Sequence, residues 1–294
     1  MEFYGMDYLR GKLSNKMKRV KLRYDYYEMK SKMRKISAII PPEFRSLTYS
    51  LGWCAKAVDT LADRIVLDDF QNDIGKIGEI YRLNNSDVLY GSAVLSALIS
   101  SCCFIYISDD GSSFPKLECI DGGNATGIID TTTNLLTEGY AVLKKDDNGI
   151  PEIEAYFLPY RTEYYQYGKS EPFQVFEHQA PYPLLVPVIY RPDAHRPFGH
   201  SRISRSCMNI VQSALRTLLR TEVASEFYSV PQKYVVGLSQ DAEFNNKLAT
   251  LSSFLNFQLD DDGKAPTHIG QFQSGSIEPF LSEPVQYLYK RAKE

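Results

Sequence analysis

The chain has 294 residues, 44% hydrophobic and 23% charged, with fifteen Phe and twenty-one Tyr. That composition excludes a disordered chain, and the length is enough for about two domains with a sizeable core. The formal net charge of −3 is uneven: residues 10–35 hold eleven Lys and Arg against Asp25 and Glu28, a local balance of +9 that leaves −12 for the rest.

The N-terminus carries Asp7, Arg10 and Lys12 where a secretion signal needs an apolar stretch. Leu9, Leu13, Met17, Val20, Tyr24 and Tyr27 are spaced four, four, three, four and three, which predicts an amphipathic helix. Its basic residues suit a polyanion or an acidic partner, or else a solvated face. "IIPPEF" breaks the chain, and Pro41 and Pro42 open a second predicted helix. That helix uses Phe44, Leu47, Leu51, Cys54, Val58, Leu61 and Ile65.

Val88 to Ser108 carries no charge over twenty-one residues, the length of a bilayer crossing. Yet Ser92, Ser96 and Ser100 fall on one helix face, with Leu95, Leu98 and Ile99 elsewhere. "CCFIYI" followed by "DDG" reads as a buried strand ending in a turn, so a helix and a strand are expected and no membrane span. From 102 to 177, short apolar runs alternate with "DDGSS", "DGGN" and "DDNG", and "GYAVLKKDDNGIPEIEAYFL" is the clearest hairpin. Residues 1–190 therefore read as an α+β body of helices followed by an antiparallel meander.

A long helix is predicted from about His200 to Ser229, where Gly and Pro are absent, spanning roughly 45 Å. Arg202, Arg205, Asn209, Gln212, Arg216 and Arg220 fall within an arc of about 80°. Ile203, Cys207, Val211, Leu215 and Leu218 occupy the other side. The basic stripe suits phosphates, a neighbour's carboxylates or water, and Glu222 and Glu226 point away from it. Pro231 stops the helix.

Beyond it come a strand at 234–238, a helix carrying Phe244, Leu248, Leu251 and Leu255, a "DDDG" turn and a "THIGQF" strand. "LSEPVQYLYKRAKE" opens another helix, with Ser282 as N-cap and Val285, Leu288 and Ala292 on one face. It stops without a capping residue, which reads as a cut. A knob of about fifty residues buries little alone; long helices holding it out expose flanks that copies of the chain can cover in a ring.

Chemistry-bearing patterns are sparse. Cys54, Cys102, Cys103, Cys119 and Cys207 form no CxxC pair, so reduced thiols are expected, and the four scattered His have no ligand spacing for a metal. "GGNATG" at 122–127 lacks the Gly-Lys-Ser/Thr of a phosphate loop and reads as a hairpin turn. His195 and His200 flank "RPFG" near Asp193 without a nucleophile or elbow motif. The runs Asp109-Asp110, Asp146-Asp147 and Asp260-Asp261-Asp262 fall in predicted turns. No catalytic, cofactor-binding or metal-ligating residue and no cofactor is expected.

Several stretches, in this order, resemble the portal proteins of tailed bacteriophages, in the long-tailed branch: "RYDYYEMK", "IIPPEFRSL", "AVDTLADRIVLDDF", "LYGSAV", "VPVIYRP" leading to "FGHSRIS", "VASEFYSVPQKYVVG" and "IGQFQSGSIEP". Gly52-Trp53 departs from the family's usual Asn-Trp. The resemblance implies a wing at 1–190, a connector and first stem helix at 191–230, a clip at 231–281, and the start of a second stem helix at 282–294. The rest of the stem, the tunnel loop and the crown are expected beyond residue 294. It implies a non-enzymatic homo-oligomeric ring, taken as dodecameric though the sequence sets no subunit number, which passes duplex DNA non-specifically in packaging and ejection. It implies docking to terminase, capsid or scaffold proteins and a head–tail adaptor, a place at the capsid vertex of the virion, and assembly in the host bacterial cytoplasm, with no membrane. Arg202, Arg205, Arg216, Arg220, Glu222 and Glu226 are the candidates for ring or channel contacts. The alternatives are a monomeric nucleic-acid-binding adaptor and a nucleic-acid enzyme with an unrecognised site.

Overall fold

Alternation along the strands decides how the body is layered. In the computed structural model the described residues are 3–229, without 35, 37, 39, 41–43, 45–48, 69, 72, 74, 110, 112 and 113, together with 233–236, 254–257, 268–271, 286 and 290. They divide into two units, Met1–Ser31 with Gly52–Met208, and Lys32–Leu51 with Asn209–Glu294.

The first unit is α+β, as expected. Its helices are α1 (Met6–Tyr27), α2 (Trp53–Ala62), α3 (Ile77–Leu83) and α4 (Ser86–Ser100). Strands β1 (Cys102–Ser108), β2 (Lys116–Asp121) and β8 (Leu185–Ile189) form an antiparallel sheet in the order β2-β1-β8. Strands β3 (Ala125–Ile129), β4 (Leu136–Lys145), β5 (Pro151–Leu158), β6 (Arg161–Gln166) and β7 (Gln174–Glu177) form an antiparallel meander in sequence order. The expected hairpin is β4–β5.

Cys102, Phe104 and Tyr106 of β1 meet Ala155 and Phe157 of β5, Ala141 of β4 and Leu185 of β8 in the main core, so the two sheets share that core. The intervening residues point the other way, as a period of two requires. Cys103 meets Ala93 and Ala97 of α4, while Tyr140, Val142, Tyr156, Leu158 and Tyr165 meet Leu9 and Leu13 of α1. One irregularity matters. Ile128 faces Glu138 but Ile129 faces Leu136, so Thr137 is an extra residue in β4. That bulge turns Leu136 into the main core and leaves Glu138 under α1.

The uncharged stretch at 88–108 is α4 plus β1, and no described helix is long and apolar enough to cross a membrane. Its serines do not face water throughout. Ser100 is fully buried and donates to the Cys102 carbonyl at 2.6 Å, and Ser96 Oγ lies 2.8 Å from the Tyr24 hydroxyl. Tyr24 in turn donates to Asp121. Of the second predicted helix, Pro41, Pro42 and Leu47 lie outside the described residues. Residues 49–51 are not helical, and α2 begins only at Trp53, after Gly52.

In the second unit lies most of α5 (Arg205–Ser229). Its helix starts at Arg205, later than the 200 expected, because three preceding side chains or backbones are committed elsewhere. Gly199 has φ +71° and sits where a Cβ would come within 2.2 Å of the Tyr190 carbonyl. Ser201 Oγ accepts from the Ile203 N–H, a local turn that competes with helix. Ser204 Oγ then accepts from the Cys207 N–H at 3.2 Å and caps the helix. Strand β9 (Lys233–Val236) is the centre of a small sheet, parallel to β10 (Phe254–Phe257) and antiparallel to β11 (His268–Gln271). Leu255 is thus in a strand, not in the expected helix; Phe254-Leu-Asn-Phe257 alternates as well as it coils, and pairing with β9 decides. Phe244, Leu248, Leu251, Pro231 and Ser282 lie outside the described residues. Gln286 and Lys290, within the expected last helix, are helical.

Candidate functional site

The basic helix turns much of its charge inward. Arg10 reaches Glu154 of β5 at 2.5 Å and Asp7 at 3.0 Å. Burial alone would lower the Arg10 guanidinium, but the bonds to Glu154 outweigh it and hold it raised. Lys12 donates to the Gly127 carbonyl at 2.7 Å. Lys16 donates to the Ala125 carbonyl at 3.1 Å and to Cys102 Sγ at 3.0 Å, and it lies over the rings of Phe104 and Phe198. Arg23 donates to the Ser100 carbonyl at 2.6 Å, at the C-terminal end of α4 where a cation is favoured. Burial lowers Lys12, helped by Lys16, and lowers Arg23, helped by Arg19. Lys18, Arg19 and Lys21 remain exposed.

Two buried carboxyl groups complete this contact, and periodicity gave no sign of them. Glu138 is 1% exposed and accepts from the Tyr4 and Gly5 N–H groups and from the Tyr156 hydroxyl at 2.6 Å. Glu154 is fully buried and accepts from Arg10 and from the Tyr140 hydroxyl. A clue was available in "EGYAV" and "EIEAY": a Glu and a Tyr two apart on one strand face, opposite a helix carrying Arg10.

The segment 190–205, which contains "FGHSRIS", is a junction built from small interactions. Phe198 packs on the main core and under Lys12 and Lys16. Asp193 accepts the His195 and Arg196 N–H groups, and its other oxygen lies 2.5 Å from His200 Nε2. The His200 bond, followed by the Arg196 N–H, holds the Asp193 carboxyl below its ordinary value. Ser201 and the Arg202 N–H donate to the Ile99 and Leu98 carbonyls, orphans at the end of α4. Asp193 and His200 therefore do form a pair, and the turn around them uses both carboxylate oxygens.

The helix that follows separates the predicted stripe into parts. Arg202 precedes α5 and its Nε reaches the Ala57 carbonyl at 3.4 Å; Arg205 is exposed in the first turn. Gln212 is only 6% exposed, with Oε1 accepting from the Arg34 N–H at 2.9 Å and Nε2 donating to the Lys32 carbonyl at 3.2 Å. Arg216 donates to Ser213 Oγ and to the Arg34 carbonyl. So residues 32–34 run across the middle of the stripe as a strap. Arg220, Glu222 and Glu226 are exposed. Glu222 lies close enough to Tyr49 to add to the burial that raises its phenol. Among the described residues no ion pair joins the four arginines to a carboxylate.

The other patterns sit in turns. Residues 122–124 form the β2–β3 turn, and a Cβ on Gly122 would come within 2.3 Å of the Cys102 carbonyl. Asp109 accepts from Gly111, and Asp146 from Asn148 and Ile150. The run Asp260-Asp261-Asp262 lies outside the described residues. Among the described residues no three His, Cys, Asp or Glu are grouped to hold a metal ion.

No family model matches the chain. Over 281 residues it is 23% identical to the portal protein of Mycobacterium phage L5, covering 87% of this chain and 56% of that protein. Over 282 residues it is 24% identical to the portal protein of Mycobacterium phage D29, with the same shares. The chain is similar to phage portal proteins. The resemblance read from the motifs is borne out at that level, and the chain spans about half the length of these relatives.

Proposed function

We propose that the chain is a structural subunit of a tailed-phage portal. The observation that carries this reading is similarity over 87% of the chain to two proteins named as portals. In this reading subunits close into a ring, dodecameric by analogy, at the capsid vertex of the virion. Duplex DNA passes through it in packaging and ejection, and terminase, capsid or scaffold proteins and a head–tail adaptor dock on it. Residues 1–190 act as wing, 191–230 as connector and first stem helix, 231–281 as clip and 282–294 as the start of the second stem helix. The subunit does no chemistry. Exposed Arg205, Arg220, Glu222 and Glu226 on one helix supply charges for contact with a neighbour or a channel.

An adaptor that grips nucleic acid through the basic N-terminal helix has less support. Arg10, Lys12, Lys16 and Arg23 already bond to carbonyls, a thiol and carboxylates within the first unit. The test is native mass and electron-microscope imaging of the purified protein together with whatever sequence its gene adds to this chain. A ring with an axial channel is expected. A protein that stays monomeric at micromolar concentration overturns the proposal.

A further inference from the structure

Two pairs of thiols meet in the first unit, and they are built differently. Cys103 and Cys119 lie on neighbouring strands with sulfurs 3.1 Å apart. The register sets Cys103 opposite Asp121 and Cys119 opposite Ile105, so the pair is diagonal, and Cys103 is fully buried with its S–H also directed at the Ile120 carbonyl. Cys54 and Cys207 come instead from the first turns of α2 and α5, with sulfurs 3.3 Å apart. Each pair joins a buried thiol, Cys54 or Cys103, to a half-buried one, Cys207 or Cys119.

A disulfide needs its sulfurs at about 2.05 Å, so this pair has to close by little more than an ångström. The chemistry around it is asymmetric. The bond between the two thiols, in which either sulfur can donate, lowers the Cys207 thiol against the opposing effect of burial, and Arg202 adds positive charge beside it. The same bond, with burial, pushes Cys54 up. Cys207, the less buried of the two and the one with Arg202 nearby, is the sulfur placed to attack first, as its thiolate.

We propose that Cys54 and Cys207 form an oxidisable dithiol site that reacts with small-molecule disulfides to give a bond between α2 and the root of α5. The Cys207 thiolate attacks one sulfur of the reagent, breaking its S–S bond and releasing one thiolate while a mixed disulfide forms. Cys54 then loses its proton to the released thiolate or to water. Its sulfur displaces the second half of the reagent, and the Cys54–Cys207 bond forms as that thiolate leaves. Two protein thiols are oxidised and one disulfide is reduced to two thiols, so electrons balance.

The placement gives the bond a consequence. The chain passes between the two units at Ser31/Lys32, Leu51/Gly52 and Met208/Asn209, so Cys54 lies two residues after the second crossing and Cys207 one residue before the third. A bond here closes a loop through most of the first unit, which restricts its unfolded chain and raises its unfolding midpoint.

The experiment incubates the protein with oxidised glutathione at neutral pH, alkylates free thiols and maps the peptides by mass. The expected product links the peptide carrying Cys54 to that carrying Cys207, while Cys103 and Cys119 are recovered alkylated after denaturation. In Cys54→Ser a glutathione adduct accumulates on Cys207; in Cys207→Ser no adduct forms on Cys54. Recovery of both Cys54 and Cys207 as free thiols from excess oxidised glutathione, or their linkage to other cysteines, overturns the proposal. The wild-type mapping decides alone if a variant does not fold.

Discussion

Glu138 and Glu154 are buried, and their donors come from the N-terminal segment as well as from β4 and β5, so each carboxyl group ties the meander to that segment. Each has a tyrosine hydroxyl as partner, and each phenol is raised, first by burial and then by its glutamate. A group whose folded value lies above its unfolded one contributes fully below the unfolded value, about 10 for tyrosine, and loses that contribution as pH climbs toward the folded value. Lys12 works the other way, since its lowered value makes folding easier as pH rises toward 10.5. Urea unfolding across alkaline pH separates the two. Tyr156→Phe is expected to cost about 1.5–3 kcal/mol at neutral pH by removing a donor from Glu138, and to make the loss of stability above pH 10 shallower. A loss of stability equally steep in the Tyr156→Phe variant and in wild type would show that this phenol does not titrate with folding.

At the scale of elements, the strap at 32–34 is the contact that covers the middle of the predicted stripe, at Gln212 and Arg216. Gln212 supplies both halves of an amide pairing to the strap backbone, as a neighbouring strand would. Replacing it with Ala leaves the Arg34 N–H and Lys32 carbonyl without those partners, at about 1–3 kcal/mol for local opening. Trypsin cleavage after Lys32 or Arg34 should then speed up by roughly 5- to 150-fold, since cleavage follows the open population; an unchanged rate would mean the strap is held by something else. Long apolar periodicity made α1, α4, α5 and the β4–β5 hairpin legible, because burial of a face leaves a period in the sequence. The strap was illegible because its partner is a polar side chain on the wrong face for the pattern, and a hydrogen bond to backbone leaves no period. The α5 boundary failed for the same reason: Ser201 and Ser204 act through single local bonds. α3, seven residues started by Asp73 accepting the Ile77 and Gly78 N–H groups, is too short to show a period at all.

For the whole molecule, the question left by α5 is what its exposed charges meet. Arg216 is engaged within its own unit by Ser213 and Arg34, so it serves as an internal control. Arg205 and Arg220 are exposed and lie about 60° apart around the helix, while Glu222 and Glu226 lie well round from Arg220 and cannot pair with it along one helix. In a closed ring every subunit presents the same two surfaces to its neighbours through a heterologous contact. Arginines on one face and carboxylates on another are what such a contact can use. Each exposed pair contributes only about 0–1 kcal/mol, but the contact recurs at every junction, so its removal shows as a change in salt tolerance. If the chain closes into the proposed ring, rings carrying Arg205→Ala with Arg220→Ala are expected to dissociate at lower salt than wild type, and Glu222→Gln with Glu226→Gln to match them. Arg216→Ala should loosen the strap to trypsin and leave salt tolerance unchanged. Mass photometry across a salt series reads all three. If both exposed double variants keep wild-type salt tolerance while DNA passage alone is altered, the charges belong to the channel and not to the junction between subunits.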